Sequence, residues 1–181
     1  MTDLRNDCEE CGFSDDAVTM ADAVAALRGF GRRYRAPLTR FLPGEDGDVV
    51  IRERPEPGVW SALEYAAHVG EVFGWYDEWI RRSLAEDEPV IVAPTPDEAA
   101  EAGAYNQADP TAVAHAIAAC AEVLATTLEG IPEDAWSRCH VRRGQSRSVL
   151  FTARRAVHEG NHHLLDIGRG MRAVRQRRRT G

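Results

Sequence analysis

The sequence contains no lysine, so all 22 members of its Lys+Arg count are arginines. Together with abundant alanine, glycine and valine, this is typical of high-GC coding and indicates an actinobacterial-type source. No run of about 20 uninterrupted apolar residues occurs, so no membrane-spanning helix is expected. The N-terminal segment, MTDLRNDCEECGF, is acidic and has no apolar signal core. We therefore expect a cytoplasmic protein without a membrane partner.

The charge balance is acidic, with a formal net charge of −7 over 181 residues. A general nucleic-acid binder needs positive charge to neutralise phosphates, so no nucleic-acid partner is expected. The length corresponds to one domain, and a hydrophobic content of 44% is enough to build a core. The local exception is a basic C-terminal tail, residues 173–181. We interpret it as a solvated tail that complements a helix dipole, with RNA or membrane contact as the alternative.

Four helical segments are predicted from apolar periodicity and from loop signals between them. They cover about residues 16–42, 61–85, 109–129 and 148–172. The second segment has a clear start, because Ser61 and Glu64 have capping-box spacing and Trp60 can pack against Tyr65. Pro37 is expected to kink the first helix.

The connections complete the predicted architecture. Residues 44–58 form a polar segment, in which residues 49–51 are expected to be a short extended piece. Residues 86–107 contain three prolines and are interpreted as a long crossover connection between helices 2 and 3. The predicted fold class is therefore all-α, a four-helix bundle over residues 16–172 that follows an N-terminal arm, residues 1–15. Metal sites in such bundles are built from inward side chains on facing helices.

The most informative motif is HEGNHH, residues 158–163, in the fourth helix. Residues four apart share a helix face, so His158 and His162 are predicted to point at one metal ion. The same letters fit H-E-x-x-H, the zinc-protease helix, in which Glu159 would be the general base. A metzincin needs a glycine and a third histidine downstream, where this chain has leucine and glycine. No strand-rich half is available to bind an extended peptide, so the protease interpretation is disfavoured.

His68 is the candidate for a third ligand. It lies about two turns into the second helix, on a face that is expected to point inward. A lone inward histidine is more often a hydrogen-bonded core residue, but here a H-x-x-x-H motif lies on another inward face. The predicted metal ligands are therefore His68, His158 and His162, which leave room for water and substrate. His163 lies about 100° around the helix from His162 and is expected beside the ligands or exposed.

These residues resemble a known family. The pattern W-S-x-x-E-x-x-x-H, which ends at His68, and the segment H-E-x-x-H-H-L-x-D-I-G-R, which begins at His158, are similar to the DinB superfamily. The likeness starts at about residue 16 and is closest to the actinobacterial branch related to mycothiol-dependent maleylpyruvate isomerase. It implies a four-helix bundle that holds a divalent metal, zinc or nickel, through three histidines matching the predicted ligands. It also implies a thiol S-transferase or isomerase that uses mycothiol or another low-molecular-weight thiol.

The predicted chemistry follows from the metal. A divalent ion held by three neutral imidazoles keeps its positive charge, so a thiol in the open position loses its proton easily. The thiolate would attack a small electrophilic substrate, with Glu159 as candidate proton acceptor and Asp166 orienting a ligand imidazole. The arginines suggested as contacts for an anionic group are Arg142, Arg143, Arg154 and Arg155.

Two other functions remain open from the sequence. One is a small-molecule binding or self-resistance module with a structural metal, and the other is a metal hydrolase that needs no thiol. Bundles of this kind often pair through helix faces, which allows a homodimer.

Cys8 and Cys11 form C-x-x-C-G near the N-terminus. With Cys139, and with His140 beside it, they could close a second, structural zinc site that ties the arm to the loop before the last helix. A redox pair is a weaker alternative, because no βαβ pattern is present. Ordinary thiols on a mobile arm are the third interpretation.

Overall fold

The computed structural model describes residues 5–180, and within them it contains six α-helices and three short β-strands. The helices are α1 (Met20–Thr39), α2 (Gly47–Arg52), α3 (Ala62–Ala85), α4 (Pro96–Ala102), α5 (Pro110–Glu129) and α6 (Val149–Thr180). The strands are β1 (Val90–Ile91), β2 (Cys139–Arg142) and β3 (Gln145–Ser148). They form one small sheet, in which β1 pairs parallel with β2 and β2 pairs antiparallel with β3.

The four long helices form the bundle, and their neighbours do not follow chain order. α1 packs against α5 and α6, and α3 packs against the same two helices. The consecutive bundle helices α1 and α3 therefore lie diagonally across the core. The long connection, residues 86–109, joins α3 to α5, which are neighbours. The predicted all-α four-helix bundle is confirmed, and the packing adds an order of helices that apolar periodicity does not encode.

The start of α3 is set by local side-chain chemistry. Ser61 Oγ accepts a hydrogen bond from the Glu64 amide (3.2 Å), and the Glu64 carboxylate accepts one from the Ser61 amide (2.8 Å). The rings of Trp60 and Tyr65 lie 5.5 Å apart, between centroids. Both predicted features of this helix start are confirmed, and they determine the position of His68 in α3.

Some boundaries differ from the prediction. Residues 49–51, expected to be extended, are helical and belong to α2. Asp46 caps this helix by accepting a hydrogen bond from the Val49 amide (3.2 Å), and the next two side chains are buried. The cap and the burial of these two side chains together stabilise this six-residue helix. The connection between α3 and α5, expected to be a loop, contains β1 and α4. The first helix was expected over residues 16–42, but α1 runs from Met20 to Thr39, so that Pro37 lies in its last turn.

α6 continues through the predicted basic tail as far as Thr180. Arg175 makes two hydrogen bonds to the Glu45 carboxylate (2.6 and 2.8 Å), and Arg177 contacts Glu53 (2.5 Å). The prediction of a solvated tail after residue 172 therefore differs from the structure. These ion pairs hold the segment before α3 against the last turns of the helix.

The core lies between the four long helices. Phe30 of α1 and Phe73 of α3 are fully buried and stack with their ring centroids 5.5 Å apart. With 20 residues, α5 is long and apolar enough to cross a membrane, by length and composition alone. Its buried side chains, Ile117 and Leu124 among them, form part of this core. Helix packing thus accounts for the apolar stripe of α5.

Candidate metal centre

Gly160 sets the distance between α6 and α1 within the HEGNHH segment. A Cβ atom at this position would lie 2.8 Å from Cε1 of Phe30, and closer still to two other atoms of that ring. The Tyr34 hydroxyl, on the same helix as Phe30, donates a hydrogen bond to the Gly160 carbonyl (2.8 Å). This close approach fixes the position of the HEGNHH segment along α1 and its rotation about the axis of α6.

His68 lies in α3 and faces α6. Its side chain is 5% exposed, and its ring centroid lies 5.3 Å from those of Trp60 and His163. Its Nδ1 has no hydrogen-bond partner among the described residues. Burial, together with the charge of His163, lowers the pKa of His68 to about 4. The imidazole is therefore neutral near pH 7 and offers a nitrogen lone pair to a cation.

Glu159 and His163 lie one turn apart on α6, on the face that meets α3. Glu159 Oε2 is 3.0 Å from His163 Nε2, and Nδ1 of the same ring is 2.8 Å from Asp166 Oδ2. Burial lowers the pKa of His163, but the two carboxylates outweigh it and raise this pKa to about 9. Burial raises the pKa of Glu159, but the hydrogen bond from His163 and the charge of Arg155 bring it down to about 2. One ligand atom each of His68, Glu159 and His163 lies within 4.8 Å of the other two.

This donor set fits a divalent metal ion. Two imidazoles and one carboxylate are a common ligand set of catalytic zinc, which keeps a further position open. A cation here would take the place of the proton shared by Glu159 and His163. Asp166 accepts the hydrogen bond from His163 Nδ1 and so leaves Nε2 as the free ligand atom. Nδ1 of His68 has no hydrogen-bond partner among the described side chains, and buried polar atoms of this kind normally have one.

The predicted ligand set of His68, His158 and His162 differs from this arrangement. Helix spacing alone allows two neighbouring pairs, His158 with His162 and Glu159 with His163, to share one metal. In the structure the second pair faces His68, and the first pair faces the cysteines of the N-terminal arm. The two pairs are offset by one residue, or about 100° around the helix. The sequence feature that indicates the second pair is the E-x-x-x-H spacing of Glu159 and His163, which lies within the same HEGNHH segment.

Cys139 does not lie with Cys8 and Cys11. Its Sγ donates to a backbone carbonyl two residues earlier (3.2 Å) in the segment that leads into β2. The neighbouring His140 is fully buried, with Nδ1 3.2 Å from Ser83 Oγ on α3. The predicted site from Cys8, Cys11 and Cys139 therefore differs from the structure, because β2 packs on α3 and in the sheet instead of on the arm.

Comparison with known proteins gives the family. The family model described as the DinB superfamily matches residues 47–167, more than half of the chain. The chain belongs to the DinB superfamily. Among solved structures, that of YfiT from Bacillus subtilis is similar to this one, and YfiT is described as a probable metal-dependent hydrolase with an unusual four-helix bundle topology. The superposition of the two structures has a TM-score of 0.74 at 14% sequence identity and covers 95% of this chain and 90% of YfiT. None of the curated protein sequences matches this chain.

The family and fold class predicted from the sequence are thereby confirmed. The region that matches the DinB superfamily contains His68, Glu159, His163 and Asp166. It does not contain the N-terminal arm with its two cysteines. The cluster on α3 and α6 is thus part of the DinB bundle, whereas the arm lies outside the matched region.

A cavity of about 550 Å³ adjoins His68, Glu159 and His163 in this DinB bundle. Five arginines line it: Arg5, Arg142, Arg143, Arg147 and Arg155. Within residues 5–180, Glu159 is the one carboxylate in its wall. Large aromatic side chains, including Trp75 and Tyr76, form much of the remainder. A positive cavity with several aromatic walls, beside the candidate metal centre, favours a small anionic ligand.

The β2–β3 hairpin carries three of these arginines, Arg142, Arg143 and Arg147. The turn at residues 143–144 has φ of 51° and 73°, and positive values at both residues are what a type I′ hairpin turn requires. The Arg142 guanidinium lies 4.7 Å from the centroid of a Trp79 ring, and that of Arg147 lies 5.7 Å from the Phe151 ring. Burial lowers the pKa of both arginines, and Nε of each lacks a hydrogen-bond partner in the described part of the chain. These donors are therefore available to a ligand.

Three of the four arginines suggested as anion contacts line the cavity, namely Arg142, Arg143 and Arg155. Arg154 does not, because it donates to the Val18 carbonyl (3.3 Å). Arg5 and Arg147 were not anticipated. Arg5 reaches the cavity because the N-terminal arm packs beside it, and Arg147 does so from β3 of the hairpin. No local sequence pattern predicts that either segment packs there.

Proposed function

We propose that this protein is a metal-dependent DinB enzyme that acts on a small anionic electrophile. His68, Glu159 and His163 would hold the metal ion. The observation that carries the proposal is that this donor set adjoins an arginine-lined cavity. Zinc is the proposed ion and nickel the alternative, because two imidazoles and a carboxylate accept several divalent metals.

A divalent ion at this point would lower the pKa of a thiol or a water in its open position. The protein's own residues orient and protect that chemistry. Asp166 fixes the tautomer of His163 by accepting a hydrogen bond from its Nδ1–H. Arg155 forms an ion pair with Glu159 and keeps this carboxylate ionised as a ligand. The Glu159 carboxylate is thus proposed as a ligand, in place of the proton acceptor expected from the sequence.

Arg142 and Arg147 are proposed to bind the anionic group of the substrate. Both guanidinium groups are partly buried against aromatic rings, and each has an unpartnered Nε–H. Charge-assisted hydrogen bonds are strong in such surroundings, because little water competes for them. This arrangement favours an electrophile that carries a carboxylate.

The proposed nucleophile is the thiolate of a mycothiol-like thiol, which makes the reaction an S-transfer or an isomerisation. The support for this choice is the sequence resemblance. A second candidate is thiol-independent hydrolysis. It is favoured by a donor set that zinc hydrolases share, and by the description of YfiT. A binding module would hold the anion without converting it.

One experiment separates the three functions. Untagged, zinc-loaded protein is incubated with a carboxylate-bearing electrophile, with and without mycothiol, and the products are identified by mass spectrometry. A product that needs the thiol supports the transferase or isomerase. Turnover without thiol supports the hydrolase, and binding without turnover supports the binding module.

Histidine variants test the ligand set in the same assay. His68→Ala should lose turnover together with about one equivalent of metal. His115→Ala changes an exposed histidine of α5 and should keep both. Retention of all bound metal in His68→Ala would contradict the proposed centre.

A further inference from the structure

We propose that Cys8, Cys11, His158 and His162 form a second, structural zinc site that fastens the N-terminal arm to α6. One ligand atom from each of the four side chains lies within 4.8 Å of the others. Two thiolates and two imidazoles are the Cys2His2 set that binds zinc tetrahedrally, and C-x-x-C with H-x-x-x-H has the spacing of such sites. The proposal does not depend on the catalytic function proposed above.

The turn that carries the two cysteines already has the shape of a metal-binding turn. The Cys8 amide donates to the Phe13 carbonyl (2.9 Å), and the Gly12 amide donates to the Cys8 carbonyl (2.9 Å). Gly12 has a φ of 71°, a conformation that strains residues with a side chain. The backbone at Phe13 also makes a hydrogen bond to the Cys11 sulfur. Amides that point at sulfur stabilise a bound thiolate, as in other anion-binding turns.

His158 lacks the partners that a buried imidazole requires. His158 is 8% exposed, and neither of its ring nitrogens has a hydrogen-bond partner among residues 5–180. Its ring centroid lies 5.4 Å from that of Phe13, so the arm itself shields it from water. Buried polar groups without partners are rare, and such a group indicates a missing ion or water. A bond from one ring nitrogen to zinc would remove this deficit.

His162 has the surroundings of a metal ligand with a supporting carboxylate. Its Nδ1 lies 3.5 Å from Cys8 Sγ, and its Nε2 lies 3.6 Å from Asp166 Oδ2. A carboxylate on the far nitrogen orients a ligand imidazole and raises its basicity. Asp166 thus lies between the two clusters, next to His163 on one side and His162 on the other.

Four protein ligands leave no open position, so this site would be structural. Besides the buried Phe13, the described part of the arm is held on α6 by two polar contacts outside the cluster. Asn6 Nδ2 donates to the Phe151 carbonyl (3.3 Å), and Glu10 pairs with Arg169 (3.1 Å) at the surface. Arg5 and Asn6 nevertheless line the cavity. The zinc would therefore hold one wall of the substrate cavity in place.

Cobalt substitution tests the site directly. Untagged protein, prepared under reducing conditions and freed of metal, is titrated with Co²⁺ and followed by absorption spectroscopy. Cysteine ligands should give a thiolate-to-cobalt charge-transfer band in the near ultraviolet for the wild type and for His68→Ala. The band should be absent from the double variant Cys8→Ser/Cys11→Ser. Cys139→Ser is the matched control and should keep the band. The absence of a thiolate band in the wild type would overturn the proposal, whatever the variants do.

Zinc content gives a second, independent measurement. We expect two equivalents in the wild type, and one in both His68→Ala and the double cysteine variant. A single equivalent that the cysteine variant loses and His68→Ala keeps would support the structural site and contradict the proposed catalytic centre. The reverse pattern would leave the catalytic centre and overturn the structural site. A wild-type mass two hydrogens short, with no zinc at the arm, would identify a Cys8–Cys11 disulfide and would also overturn it.

Discussion

Replacing Gly160 with alanine should test how closely α6 must approach α1. The added Cβ would lie 2.8 Å from Cε1 of Phe30 and nearer to two other ring atoms, where ordinary contact begins at about 3.4 Å. Phe30 is fully buried between Tyr34 and Phe73, so its ring has little room to retreat. Overpacking of this kind typically costs about 1–3 kcal/mol, and the better helix propensity of alanine returns about 0.5–1 kcal/mol. We expect Gly160→Ala to lower the free energy of unfolding by about 1–2 kcal/mol.

The assay is urea unfolding followed by far-ultraviolet circular dichroism, with EDTA in every sample so that metal binding does not contribute. Gly168→Ala is the matched control, because a Cβ there meets no described heavy atom within 4 Å. It should raise the free energy of unfolding by about 0.5–1 kcal/mol. Phe30→Leu removes the ring in question, so the double variant should be more stable, by about 1 kcal/mol, than the sum of the single changes. A gain in Gly160→Ala, or strict additivity with Phe30→Leu, would refute the reasoning.

Three further changes can be measured in the same way. Ser61→Ala removes the buried cap of α3 and leaves Oδ1 of Asn106 without the hydroxyl that donates to it. It should lower the free energy of unfolding by about 1–2 kcal/mol. A loss no larger than that of the exposed cap variant Thr95→Ala would contradict this. Tyr34→Phe should cost about 1 kcal/mol because the Gly160 carbonyl loses its hydroxyl donor, and an unchanged midpoint would argue against that bond. Burial lowers the pKa of His140 to about 4, from 6.5. A lowered folded-state pKa means that this stability is fully present above pH 6.5 and is lost as the pH falls toward 4. Between pH 7.5 and 5 the wild type should therefore lose about 2 kcal/mol more than His140→Gln, and equal losses would disprove it.

Features that depend on residues close together in the chain were predicted well. The capping box of α3 depends on two residues three apart, so Ser61 and Glu64 predicted it from the sequence. The periodicity of the four long segments likewise predicted the bundle, since each segment had to bury one apolar stripe. α2 was missed, because a helix of six residues is too short to show a period.

The ligands of the candidate metal centre could be predicted only in part. The helix that carries them, and His68 on the facing helix, followed from the sequence. The choice between the pairs His158–His162 and Glu159–His163 did not, because both have the same spacing and differ only by a rotation of α6. That rotation is set by long-range contacts, such as the approach of Phe30 to Gly160 and the hydrogen bond from Tyr34.

By itself, the sequence determined the all-α class, the DinB resemblance, the starts of α3, α5 and α6, and the residue types able to bind a metal. These depend on local spacing and composition, which the chain carries in any conformation. Only the tertiary structure decided which histidines meet, that Cys8 and Cys11 lie beside α6 instead of beside Cys139, and that the arginines of the arm and the hairpin share one cavity. These residues lie far apart in the sequence, some of them near opposite ends of the chain. Their meeting depends on the order in which the helices pack, and no short stretch of sequence specifies that order.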